Sequence, residues 1–266
     1  MLPFGESFAA WVISTGAAAF GGLLFALIVG RYLRPSYFLA FSLGVLLWVF
    51  TDVIDEAGKI DVEASFSGGL EQATIIVLFV IGIVSFLCVD RSTFSAVVSD
   101  AGGILAPLLF AVAVGVHGLG EGIAFGAVSA TSPFDSLVIA FGGEAAGAAY
   151  VIHKFLEAMA IGSFYLLVLD SRATRPSVHF RNIAALTAVF IVPSIAAMAV
   201  GYYVQFNSVY FFSIGTGALL YAMLRLGAPL FTSVPLGRWG SFKTGLWFTV
   251  GFLLVYFAAL FHSYVP

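Results

Sequence analysis

Eight stretches of this chain run for roughly the width of a bilayer with almost no charge, and only short polar segments separate them. They cover residues 7–30, 37–54, 71–89, 103–129, 136–168, 182–204, 208–227 and 243–264. Backbone inside hydrocarbon must satisfy its own hydrogen bonds, which leaves helices or a closed barrel. The alternating pattern of barrel strands is absent, so the spacing predicts an all-α integral membrane protein, a single bundle of eight transmembrane helices. The connections leave no room for a second domain, and residues 1–266 read as one transmembrane domain. Composition agrees: 61% of residues are hydrophobic and 9% charged, where a soluble chain carries about a quarter charged residues. The stretch at 136–168 is longer than a bilayer needs and is expected to tilt or extend into water. The first stretch has no Lys or Arg before it, unlike a secretory signal, and reads as a retained span. A single cysteine, Cys88, excludes an intramolecular disulfide.

Orientation follows from the basic residues. Arg31, Arg34, Arg91, Arg172, Arg175, Arg181, Arg225, Arg238 and Lys243 fall on one side of the eight-span pattern, and Lys59 on the other. The positive-inside tendency then places both termini outside the cytoplasm, in a cell membrane. Acidic residues Asp55, Glu56, Asp61, Glu63 and Glu71 crowd the connection after the second span, and Asp52, Asp55 and Glu56 share one helical face at its end. Two readings stand for this cluster: an acidic vestibule that concentrates cations, or a solvated loop.

Within the fourth and fifth spans lie two related motifs, His117-Gly-Leu-Gly-Glu121 and His153-Lys-Phe-Leu-Glu157. A helix turns every 3.6 residues, so each histidine shares a face with its glutamate. Ionisable groups inside a span are costly, and four of them at one depth require a cause. A lone intramembrane histidine is often a structural hydrogen-bonding residue; a duplicated His-x-x-x-Glu is not readily explained that way. Imidazole and carboxylate together suit a borderline divalent cation such as Zn²⁺. Glycines at 115, 118, 120 and 122 on one helix, and at 142, 143 and 147 on the other, predict close approach of the two spans. Glu144 lies nine residues before His153 and points away from the ligand face, lining an approach route or bonding another helix. Pro107 and Pro193 are expected to kink the fourth and sixth spans. His179 and His262 are read as a loop residue and a C-terminal residue, both solvated.

On these residues the chain resembles the ZIP (Zrt/Irt-like) family of divalent metal transporters. Family members carry a His-Asn-x-x-Glu-Gly-type motif in the fourth span and a related His-x-x-x-Glu motif in the fifth. Here the positions read His117-Gly118-Leu119-Gly120-Glu121-Gly122 and His153-Lys154-Phe155-Leu156-Glu157-Ala158. The segments Gly44-Val-Leu-Leu-Trp and Gly215-Thr-Gly-Ala-Leu-Leu-Tyr221 resemble family segments more loosely. The resemblance implies His117, Glu121, His153 and Glu157 as metal ligands, an elevator-like mechanism and a homodimer. The moving group would comprise spans one, four, five and six, sliding against spans two, three, seven and eight. Many members hold a second metal through the second motif position, where this chain has Gly118 and Lys154, neither of them suited to that role. A single-metal site follows, with the Lys154 ammonium standing in for the second ion. Two glutamates and one lysine give one net negative charge, and a divalent ion makes it one net positive.

The expected function is therefore uptake of Zn²⁺, or of Fe²⁺, Mn²⁺, Co²⁺ or Cd²⁺, which the same ligand set suits. The ion is cargo; no prosthetic group, no nucleic-acid partner and no enzymatic activity are expected. No nucleotide-binding loop is present, so ATP is not the direct energy source. Asp52, Asp55, Glu56 and Glu144 are the candidate approach residues. The rivals are a metal-selective channel, and an intramembrane zinc hydrolase using Glu121 or Glu157 as base.

Overall fold

A computed structural model describes residues 2–58, 69–97, 103–131, 141, 144–169, 175–204, 206–232 and 238–259. Asp61, Glu63, Lys59, Arg172, Gly142, Gly143 and His262 lie outside them, as do the side chains of Glu56, Arg91 and Arg238. The helices are α1 (Phe4–Val29), α2 (Pro35–Gly58), α3 (Leu70–Val97), α4 (Leu105–Val116), α5 (Gly118–Thr131), α6 (Glu144–Val168), α7 (Pro176–Tyr203), α8 (Ser208–Thr232) and α9 (Arg238–Ala259). With α4 and α5 forming one interrupted span, eight helical spans are long and apolar enough to cross a membrane, and the described residues contain no β-sheet.

Span positions agree with the hydropathy reading, but several ends move. α7 starts at Pro176 and carries His179 and Arg181 in its first turns, so His179 is a helical residue rather than a loop residue. Hydropathy marks the lipid-facing part of a helix; Pro at its first position marks where it starts. His179 Nδ1 bonds the buried Tyr165 hydroxyl at 2.8 Å, and Asn182 Nδ2 donates to the same oxygen at 3.1 Å. Pro107 falls in the first turn of α4, where a missing N–H costs nothing and proline is tolerated. Pro193 is inside α7. The described helix of the fifth span begins at Glu144, an exposed residue whose charge favours the positive end of the helix dipole.

Packing divides the bundle. The most extensive pairings join spans four and six, two and eight, one and five, and three and seven. Spans one, four, five and six thus form one group, and two, three, seven and eight the other. Glycine makes the tightest of these pairings possible. A Cβ at Gly115, Gly122 or Gly126 would run into the α7 backbone at Phe190, Ser194 or Met198. The same holds for Gly22 against Phe155, Gly44 against Phe248, Gly251 against Phe41, and Gly82 against Ile214. Each of these joins spans of one group. Between the groups, α8 meets α4 and α5, and α2 meets α6.

Candidate metal centre

The fourth span breaks at the site itself. α4 stops at Val116, His117 occupies the junction, and α5 starts at Gly118. Glycines at 115, 118 and 120 weaken the helix here, each by about 1 kcal/mol relative to alanine. Across the junction the Gly120 N–H bonds the His117 carbonyl at 3.2 Å, a tighter turn than the α-helical one. His117 Nδ1 is hydrogen-bonded to the Val114 carbonyl oxygen. A carbonyl can only accept, so Nδ1 carries a proton, and a metal ion would have to be bound through Nε2. From the other group, Gly215 lies against the His117 Cα, where a side chain would strike backbone. Trp48 of α2 packs edge-on to the His153 ring, with centroids 6.1 Å apart. The two loosely matching segments thus each contact one histidine.

One atom from each of His117, Glu121, His153 and Glu157 lies within 4.8 Å of the other three. His117 Nε2 is 2.8 Å from Glu157 Oε1 and 3.6 Å from Glu121 Oε1. His153 Nε2 is 4.0 Å from Glu121 Oε1 and hydrogen-bonded to Glu157 Oε1. A tetrahedral zinc with bonds of ~2.0–2.1 Å would hold its ligand atoms about 3.3 Å apart. The observed separations straddle that value, so small side-chain adjustments turn this cluster into a coordination sphere. A buried His/Glu cluster in membrane-spanning helices can therefore coordinate a divalent metal ion.

Lys154 turns into the cluster. Its Nζ lies 2.7 Å from Glu121 Oε2, 2.9 Å from Glu157 Oε2 and 2.9 Å from His117 Nε2. An ammonium has three hydrogens, and here two carboxylate oxygens accept from it beside the His117 ring nitrogen. The rings of Tyr150 and Phe190 flank it at 5.8 and 5.7 Å. The two carboxylates accordingly present Oε1 to the histidines and Oε2 to the lysine.

Exposure within the centre is graded. His117 and Glu157 are 0% exposed, and Lys154 is 1% exposed; His153 and Glu121 are 13% and 16% exposed. Glu121 follows His117 and His153 precedes Glu157 on antiparallel spans, so the accessible pair faces the end of the bundle where α1 begins. Toward the opposite end, Phe110 and Phe164 stack with centroids 4.5 Å apart, each seven residues, about two turns, from His117 and Glu157. Arg225 of α8 lies over Phe164 at 6.0 Å, and its Nε is 3.5 Å from Asp90.

The glycines act differently from the expectation. Gly115, Gly118 and Gly122 approach α7 of the sixth span rather than the fifth, and Gly120 faces the Phe212 ring. Glycine and ligand positions are offset by one residue, which on a helix is a separate face. Gly147 lies beside Phe141. Asp52 is half-buried, while Asp55 and Glu144 are exposed; none of the three belongs to the four-residue cluster. The phenylalanine stack and the Arg225–Asp90 pair carry no local sequence signal, since each depends on residues brought together by the fold; the break at His117 is signalled only by its neighbouring glycines. No protein-family model matches this chain, and comparison with curated proteins gives no match.

Proposed function

We propose that this chain is a carrier of the ZIP type that takes a divalent metal ion, zinc foremost, across the membrane into the cytoplasm. The observation that carries this reading is the convergence of two imidazoles and two carboxylates from two neighbouring spans within 4.8 Å. Mixed nitrogen and oxygen ligands suit binding that must also release. Lys154 takes the place of a second metal, so one ion binds per chain.

Both termini face away from the cytoplasm, by the distribution of Lys and Arg. In that orientation the more accessible ligands, Glu121 and His153, face the side from which the ion arrives. The division into two packed groups supports an elevator-like movement of spans one, four, five and six, and the resemblance suggests a homodimer. The function is transport without catalysis.

The test is zinc flux into proteoliposomes, comparing the wild-type chain with His153→Ala at matched insertion. Saturable flux in the wild type that is lost in the variant is the expected outcome. Flux that survives the substitution would sink the ligand assignment. Zinc binding that needs His153 but comes with no flux would redirect the reading to a hydrolase.

A further inference from the structure

Glu121 stands apart from the other candidate ligands in position and in attachment. Glu157 Oε1 is 2.8 Å from His117 Nε2 and hydrogen-bonded to His153 Nε2, whereas Glu121 Oε1 is 3.6 and 4.0 Å from the two imidazoles. His153 and Glu157 ride on α6, which runs unbroken from Glu144 to Val168; Glu121 rides on α5, beyond the junction at His117. Before that junction α4 packs directly on α6. Beyond it α5 packs chiefly on α7 and α8, and its extensive pairings among the described residues do not include α6. Aromatic rings fill the space between them: Trp11 stacks on Phe125 of α5 at 4.4 Å and on Tyr150 of α6 at 4.8 Å. Resting on the carrier reading above, we propose that Glu121 is a movable ligand, carried on an arm of α5 and the end of α7 that hinges at His117 and Pro193 to close on the ion.

Both helices of the arm are weakened at one level. His117 keeps helical dihedrals, φ −64° and ψ −28°, while the hydrogen-bond ladder lapses around it, so the span holds its direction but loses stiffness. Pro193, inside α7, has no N–H to give the Val189 carbonyl. Gly115 against Phe190 and Gly118 against Ser194 set the two interruptions side by side. Beyond that level the helices are locked together. Gly122 meets the backbone of Ser194 and Met198, Gly126 that of Met198 and Tyr202, and Gly201 that of Ile123. Leu2 closes the far end: its N–H donates to the Ser129 carbonyl at 3.1 Å, and its own carbonyl accepts the Tyr202 hydroxyl at 2.7 Å. Two helices joined to each other beyond a shared weak level move as one body. Toward α8 the arm meets the Phe212 ring, and toward α6 the stacked rings, surfaces that slide more readily than interlocked backbone. The Trp11 indole N–H holds Ser194 at the level of the hinge, where the arm moves least. A tetrahedral ion needs Glu121 drawn in by roughly 0.5 Å, the excess of its separations over about 3.3 Å. Glu121 lies ~6 Å beyond His117 and Val128 ~16 Å beyond it, so the arm amplifies that shift to about 1–2 Å at Val128.

Spin-label distances measured with and without zinc test the arm. In a chain with Cys88 replaced by serine, cysteine pairs at exposed positions carry the labels: Val128 with Ala148 across the arm and α6, Val128 with Val200 within the arm, and Leu105 with Leu167 on the other side of the hinge. All three pairs lie within one packed group, so sliding of that group as a rigid body changes none of them. Zinc is expected to shorten the Val128–Ala148 distance by about 1–2 Å and narrow its distribution, and to leave the other two pairs unchanged. Pro193→Ala, which gives the Val189 carbonyl its N–H, should at least halve that shortening. Zinc that binds, by equilibrium dialysis, without moving the Val128–Ala148 pair overturns the arm and leaves the carrier standing. A matching change in the Val128–Val200 or Leu105–Leu167 pair also overturns it, as does full shortening in Pro193→Ala. Absence of zinc binding in the chain with native ligands is a different result: the metal centre and the carrier reading then fail, and this proposal with them.

Discussion

An ammonium with two carboxylate oxygens and an imidazole nitrogen within 2.9 Å leaves no coordination room on its side of the glutamate pair. Gly118, the other position at which the ZIP resemblance would place a ligand to a second ion, is closed for a separate reason. A Cβ there would sit 3.0 Å from Ser194 Cβ, so a longer side chain fits only if α7 gives way. Ser194 is itself fixed, because its hydroxyl accepts the Trp11 indole N–H at 3.0 Å. Of the two changes that would open the second position, the one at Lys154 is the less obstructed. Lys154→Asn frees both Oε2 atoms and adds an amide oxygen, and metal content at equilibrium dialysis should rise from one zinc per chain toward two. A content that stays at one would separate the stoichiometry from the lysine.

At the level of helices, the contacts among spans one, four, five and six run through glycine. Alanine normally improves a helix over glycine by about 1 kcal/mol. At Gly122 the added methyl would meet the Ser194 carbonyl and Ala197, and overpacking of that kind costs about 1–3 kcal/mol. The second term wins, so Gly122→Ala should lower the thermal midpoint in detergent. Gly245→Ala, where nothing lies within 4 Å, should leave it unchanged or raise it slightly. Equal behaviour of the two variants would mean that this close approach contributes little. The same helices show what hydropathy and spacing reveal. Span number and the His-x-x-x-Glu pairs were legible because they depend on runs and on the 3.6-residue period alone. The start of α7 at Pro176 was not, since Arg181 and His179 hide a helix continuing beyond the apolar run. Nor was the glycine face. Periodicity says that Gly115, Gly118 and Gly122 share a side, but not which neighbour that side meets. The interruption at His117 was visible only as a run of glycines, and Gly215, from a span far along the chain, packs against it.

Across the whole molecule, the two groups meet over surfaces of a different character from those inside each group. Within a group, glycine brings backbone onto backbone at several levels; between groups, Gly215 meets the His117 backbone at one level and the Phe212 ring covers Gly120. A ring lying over a glycine can slide, whereas backbones locked at successive turns resist it. The candidate ligands all belong to one group, and Trp48, Gly215, Phe212 and Arg225 to the other. A carrier built this way must move its centre past those four residues, while a channel need not. Joining the groups should therefore stop a carrier. In a chain with Cys88 replaced by serine, Gly120→Cys with Phe212→Cys places two thiols across the contact, the lost ring making room for the new side chain. Oxidation should abolish zinc flux, reductant should restore it, and the bridged protein should still bind zinc because His117, Glu121, His153 and Glu157 are untouched. Flux that continues in the bridged protein would show that the ion passes without relative movement of the groups, and the channel would replace the carrier.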